Sequence, residues 1–158
     1  YEAANFYKAD TIVRLPADNP VPEPTEIDKI VDFHLHLKKR GFTSNLASIF
    51  NSGYPDGIGA EVFDFSLLSD INFKIKTSMQ KEHLHLNFYN YESEEVVDSE
   101  WCPVNTLECP GKFKRPDIIL DVNTYEQYVL MKKLYQDLYF KNANFNILDI
   151  INWYDNKK

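Results

Sequence analysis

Cysteine is scarce: Cys102 and Cys109 are the only two in 158 residues. They are too few and too widely spaced for a zinc cluster. Reduced thiols in a cytoplasmic protein are the simplest reading, with a disulfide as the alternative. No apolar run approaches the ~20 residues that a membrane-spanning helix requires, and the opening residues carry no signal-peptide pattern. Positive charge is in deficit, 17 Lys and Arg against 24 Asp and Glu for a net charge of -7. That balance argues against broad nucleic-acid binding, which relies on clustered Lys and Arg. It leaves room for a small nucleotide whose phosphates are held through a metal. Internal repeats and low-complexity linkers are also lacking.

What is present is apolar and aromatic. Hydrophobic residues make up 44% of the chain and aromatics 15%, which excludes disorder and suits one compact domain over residues 1–158. A domain of this size buries roughly 68–70% of its unfolded surface. "YEAANFYKA" reads as the end of a helix and "TIVRL" as a short buried strand. "PADNPVPEP" must be a loop, since each proline fixes φ and removes a donor. "PTEIDKIVDFHLHLKKRG" predicts a helix with Ile27, Ile30, Val31 and Leu35 near one face and a stop at Gly41. "FTSNL" predicts a second strand, "NSGYPDGIGAE" a turn-rich loop, and "VFDFSLL" a strand running into a short helix. "TSMQKEHLHLNFYNY" reads as helical from a Thr77 or Ser78 cap. "VVDSEWCPVNTLECPGKFKRP" is irregular, and "DIILDV" predicts a third buried strand. "TYEQYVLMKKLYQDLYF" is the clearest helix, with Tyr128, Met131, Leu134 and Leu138 near one face, and "NANFNILDIINWYDNKK" closes with a short helix. Strands alternating with helices indicate an α/β sheet with mainly parallel strands. The opening lacks methionine and is already in helical register, so the chain reads as starting in mid-domain.

Four of these stretches, in order, resemble the cytidylyltransferases that activate acidic sugars, and within them the spore-coat polysaccharide and acylneuraminate branch. "ADTIVRLPADNPVPEPTEID" is similar to that family's strand, Asp-x-Pro loop and following helix. "FTSNLASIFNSGYPDGIGAEVFDFSLL" is similar to its Ser-Asn strand, Tyr-Pro-x-Gly loop and Glu-Val-Phe strand. "KEHLHLNFYNY" resembles an Arg-Glu-His-Val-Thr stretch, and "DIILDVNTYEQYVLMKKLYQDLY" a strand ending in Asp-Thr-Pro-Glu-Asp with the helix beyond it. The resemblance implies a Rossmann-like three-layer α/β sandwich of the nucleotide-diphospho-sugar transferase type. It implies transfer of CMP from CTP to an acidic or polysaccharide-precursor sugar, with magnesium as cofactor and release of pyrophosphate. The family's N-terminal strand and its Arg- and Lys-containing phosphate loop have no counterpart here, so the chain is expected to be the C-terminal portion of a longer protein. By itself it is expected to bind CTP poorly and to turn nothing over.

A carboxylate just past a strand end, on a rigid loop, is well placed to hold magnesium at the edge where open α/β sheets bind ligands. Asp18 is the first such candidate, and a turn-capping aspartate beside prolines is the alternative. The second falls where the sequence departs from the family pattern. The family Asp lands on Asn123, its Pro on Tyr125 and its last Asp on Gln127. An amide oxygen coordinates magnesium without bringing charge. Asp121, two residues earlier and on the same strand face, is the substitute, and a decayed metal site is the rival outcome. The resemblance places Asn45, Tyr54, Gly57, Glu61, Glu82 and His83 on the substrate side, with Glu61 receiving sugar hydroxyls and Arg14 adding positive charge. The pairs His34/His36 and His83/His85 invite a zinc reading. Both lie in stretches read as helical, where i and i+2 face opposite sides. The Tyr-rich face of the last long helix is read as core, with packing on a second subunit of a homodimer as the other option. A non-catalytic relative serving as a sugar-binding or assembly module is the second functional reading.

Overall fold

The computed structural model describes residues 1–46, 49–75, 77–90 and 93–157. Six α-helices and six strands are formed among them: α1 (Glu2–Phe6), β1 (Thr11–Arg14), α2 (Pro24–His36), β2 (Phe42–Ser44), β3 (Glu61–Asp64), α3 (Phe65–Lys74), α4 (Ser78–Glu82), β4 (Tyr89–Asn90), β5 (Glu95–Val96), β6 (Val104–Asn105), α5 (Tyr125–Leu138) and α6 (Ile147–Asp155). The central sheet has the order β1-β3-β2-β6. Alternation along its strands sorts side chains into two layers. Phe42, Phe63 and Ile12 face a core built with α3, Phe88 and Trp101. Val62 faces α2, where it packs with Ile30 and Ala60. The result is a helix, sheet and helix sandwich, the expected α/β class. A further core joins α5 and α6 to Tyr54, Ile58, Ile118 and Leu120.

The strand directions differ from the mainly parallel expectation. β3 runs antiparallel to both β1 and β2, and only β2 and β6 are parallel. No crossover helix separates β2 from β3 among the described residues, so the chain returns antiparallel. "DIILDV" forms no strand. Its alternation is real, with Ile118 and Leu120 buried and Ile119 exposed. Its backbone partners are loops: Asp56 N–H donates to Ile118 O (2.9 Å), Leu120 N–H to Asp56 O (3.1 Å) and Val122 N–H to Asp18 O (2.9 Å). Meanwhile β6 forms within the stretch read as irregular.

Helix ends differ in instructive ways. α2 stops at His36, short of Gly41. Its buried positions are Glu26, Ile30 and His34, while Leu35 is exposed. The stretch from Thr77 starts as expected, with the Thr77 side chain accepting from Gln80 N–H, but α4 ends at Glu82. A 3-10 turn over Leu84–Asn87 and then β4 follow, and Tyr91 lies outside the described residues. α5 is fixed by a reciprocal Thr124/Gln127 capping box. Tyr128, expected on its buried stripe, is half exposed. Cys102 and Cys109 are free, and burial pushes each thiol up to about 11. No helix among the described residues is long and apolar enough to cross a membrane.

Candidate active site

A cleft of about 360 Å³ opens where β1, the loop after it, the end of the 45–60 loop and the Glu82–His85 turn meet residue 121. Three segments far apart in sequence supply its acidic floor. Asp18 comes from the proline loop, whose backbone is tied to Val122, and Tyr135 Oη anchors the same loop by donating to Pro20 O at 2.7 Å. Asp56 comes from the "YPDG" turn, held by its two backbone hydrogen bonds to residues 118 and 120. Asp121 follows those residues directly. Gly57 explains how the two segments approach so closely. Its φ is +88, and a Cβ there would meet the Asp121 nitrogen at 2.9 Å.

This crowding appears in proton affinities. Burial pushes the Asp56 carboxyl above its usual range, the charges of Asp121 and Asp18 push it further, and the Gly57 N–H pulls it partly back. Burial and then the Asp18 charge raise Asp121 likewise. Asn123 Nδ2 donates to Asp121 Oδ2 at 2.6 Å, and Gln127 Nε2 donates to Oδ1 at 3.3 Å. The two residues that replace family carboxylates therefore act on Asp121 as donors, and Asn123 lies outside the cleft lining.

The other wall is built on the sheet. Arg14 and Glu61 are directly opposed in the β1–β3 register. Their side chains share a face and form an ion pair, Nη1 to Oε2 at 2.7 Å. Glu61 is fully buried, so it meets Arg14 and His85 and is not an open acceptor for sugar hydroxyls. Arg14 also reaches Glu82 O at 3.4 Å, which binds the strand to the turn carrying Glu82 and His83. That turn corrects the helical geometry expected for the second His-x-His pair. His83 is extended away from helix (φ -107, ψ 85), and its ring stands 5.7 Å from that of His85. His34 and His36 do diverge: His34 is buried against Thr43 and Asp64, whereas His36 binds the Asp32 carbonyl at the surface.

Asn45 and Tyr54 stand elsewhere. Asn45 is buried, accepts from Ala60 N–H (2.9 Å) and donates to Glu26 O (3.1 Å). Tyr54 is 1% exposed and donates to Glu26 Oε2 at 2.8 Å. Both hold the 45–60 loop against α2 and neither lines the cleft. Asp56 was absent from the sequence candidates, hidden inside a turn motif. His85 entered only as half of a His-x-His pair, because the assumption of an unbroken helix turned it away from the substrate side.

Among the described residues, no group of three or more His, Cys, Asp or Glu side chains is arranged to hold a metal ion. Magnesium commonly needs only one or two carboxylates, with phosphate oxygens and water completing its shell. Carboxylates whose ionisation is opposed by their neighbours fit that requirement.

No family model matches the chain. It is 31% identical over 157 residues to an uncharacterized protein of Methanocaldococcus jannaschii, covering 98% of this chain and 57% of that one. It is 32% identical over 130 residues to the spore coat polysaccharide biosynthesis protein SpsF of Bacillus subtilis, covering 82% and 48%. In structure it matches a cytidylyltransferase from Leptospira borgpetersenii serovar Hardjo-bovis, with a TM-score of 0.78, 25% identity, and coverage of 99% and 60%. In structure the chain is similar to a cytidylyltransferase. Its α/β sandwich is the cytidylyltransferase fold. The chain spans about half the length of the curated relatives it matches, 57% and 48%.

Proposed function

We propose that the protein is a nucleotidyltransferase that moves CMP from CTP to an acidic or polysaccharide-precursor sugar and releases pyrophosphate, in surface polysaccharide biosynthesis. The observation that carries this reading is the convergence of Asp18, Asp56 and Asp121 on one cleft, where Asp56 and Asp121 resist ionisation. A cleft with five carboxylates and one guanidinium repels a triphosphate unless a cation intervenes. Asp18 and Asp121 are the residues that would hold magnesium, which when bound neutralises charge on phosphate oxygens. Asn123 and Gln127 orient the Asp121 carboxylate through its two oxygens, and Gly57 lets the Asp56 turn close against it. The Arg14–Glu61 pair braces the sheet wall, so Arg14 serves the frame before the phosphates. Glu82 and His83, exposed on the facing turn, are placed to meet the acceptor sugar.

The test uses the full-length protein with CTP, magnesium and a panel of acidic sugars that includes acylneuraminates. Pyrophosphate release is expected only when all three are present, and it should fall at least ~100-fold in Asp121→Ala, as for loss of a positioned transition-state group. Release that persists in EDTA would contradict the reading. A second reading, a non-catalytic sugar-binding or assembly module, is favoured by Asn123 in place of the family carboxylate. It is supported if sugars bind and no pyrophosphate is ever released.

A further inference from the structure

The Arg14 ion pair uses only one oxygen of Glu61. The other, Oε1, is buried and lacks a hydrogen-bond partner, a costly state for a carboxylate in a protein interior. What faces that oxygen is the imidazole of His85, with Nδ1 at 3.5 Å. His85 sits on the 3-10 turn just past the break at His83, its side chain is 14% exposed, and it lines the cleft. With Nδ1 turned to the carboxylate, Nε2 is the ring nitrogen on the far side. A carboxylate that fixes one imidazole nitrogen sets the tautomer and makes the other nitrogen a proton acceptor.

We propose that His85, oriented by Glu61, is the general base that takes the proton from the acceptor hydroxyl. The inference rests on the nucleotidyl-transfer reading above. The acceptor O–H proton passes to His85 Nε2 while that oxygen bonds to the α-phosphorus of CTP. The bond from the α-phosphorus to the bridging oxygen breaks, and pyrophosphate leaves with the electron pair. The imidazolium formed is balanced by Glu61 and later returns its proton to water. The other charged groups facing this site are Arg14 from β1, Glu82 and His83 from the same turn, and Asp18, Asp56 and Asp121 across the cleft. His83 is the outer histidine, exposed at the end of α4, with no role in this step.

Two measurements test the assignment. The first is the imidazole nitrogen NMR spectrum of the wild-type protein, assigned with His85→Gln among four histidines. The expected result is His85 protonated at Nδ1 when neutral, a preference lost in Glu61→Gln. Protonation at Nε2 would overturn the orienting role. The second is steady-state kinetics across pH 5–9 with CTP and acylneuraminates. His85→Gln is expected to lower kcat by about 10²–10⁴-fold, the usual range for a lost general base, to leave the KM for CTP within about threefold, and to flatten the acid limb of the profile. An active wild type with His85→Gln near its kcat and sharing its acid limb would overturn this proposal alone. A wild type that transfers no nucleotide would overturn the underlying reading and this step with it.

Discussion

Asp56 and Asp121 register the electrostatic cost of the cleft in their own proton affinities, both raised by burial and by neighbouring carboxylates. A raised folded-state value means the native chain holds these protons more tightly than the unfolded one. Their contribution to stability is therefore greatest in acid and falls as pH climbs from about 4 through the raised values. Asp56→Asn is accordingly expected to raise the melting temperature of the metal-free protein at pH 7 by about 1–4 °C, as ~1 kcal/mol shifts a domain of this size. The gain should shrink toward pH 4, which a thermal-shift series checks directly. A lower melting temperature at pH 7 would contradict the electrostatic picture. Tyr54→Phe tests the frame instead. It leaves the Glu26 carboxylate, 0% exposed, with Lys29 but without its buried hydroxyl donor. A loss of about 1.5–3 kcal/mol in denaturant unfolding is expected for a bond to a charged group. Asp18 was legible in the sequence because it follows a strand-like apolar run on a proline-stiffened loop, and Asp121 because the family resemblance set the second carboxylate two residues beyond it. Asp56 was not, since Pro-Asp-Gly describes a turn equally well whether its carboxylate faces solvent or a cleft. Glu61 was legible as a site residue but not in its direction, because alternation along β3 does not say which neighbour waits on each face.

At the scale of elements, the helices with apolar periodicity, α2, α3, α5 and α6, stand where the sequence indicated, the last two with capping boxes. The misreadings share one cause. A run such as "DIILDV" alternates because it is half buried, and β-branched residues favour any pleated, half-buried path. It is the tertiary partner that decides between ladder and loop, and here the partners are Asp18 and Asp56. α4 breaks at His83 with no Gly or Pro to announce it. The Arg14–Glu82 contact and the aromatic core holding Phe88 account for the turn. The 45–60 loop is the element on which the site depends. Gly57→Ala would force a left-handed backbone on alanine and drive its Cβ into the backbone at residues 120 and 121. The expected cost is about 1–3 kcal/mol of strain, together with a loss of magnesium-dependent activity larger than that of a surface control. Unchanged unfolding and activity in Gly57→Ala would show that the Asp56 turn and Asp121 do not need this contact.

The whole molecule is a sandwich whose sheet edge gathers negative charge in a chain already at -7. The α/β class was readable from periodicity and the sandwich layers only from the family resemblance, whereas strand direction was not readable, because nothing in the composition of the β2–β3 connection distinguishes a crossover from a return. The cleft forms only when loops after β1, before β3 and before α5 meet, so its acid cluster is a property of the assembled fold and not of any motif. The measurement that tests the central claim most directly is calorimetric titration of CTP into the full-length protein, with magnesium and with EDTA, in wild type and in Asp121→Asn. CTP is expected to bind the wild type only with magnesium, and Asp121→Asn should weaken that binding by at least about tenfold, or ~1.4 kcal/mol. Equal CTP affinity in EDTA, or an Asp121→Asn variant indistinguishable from wild type, would contradict a cation held at this edge.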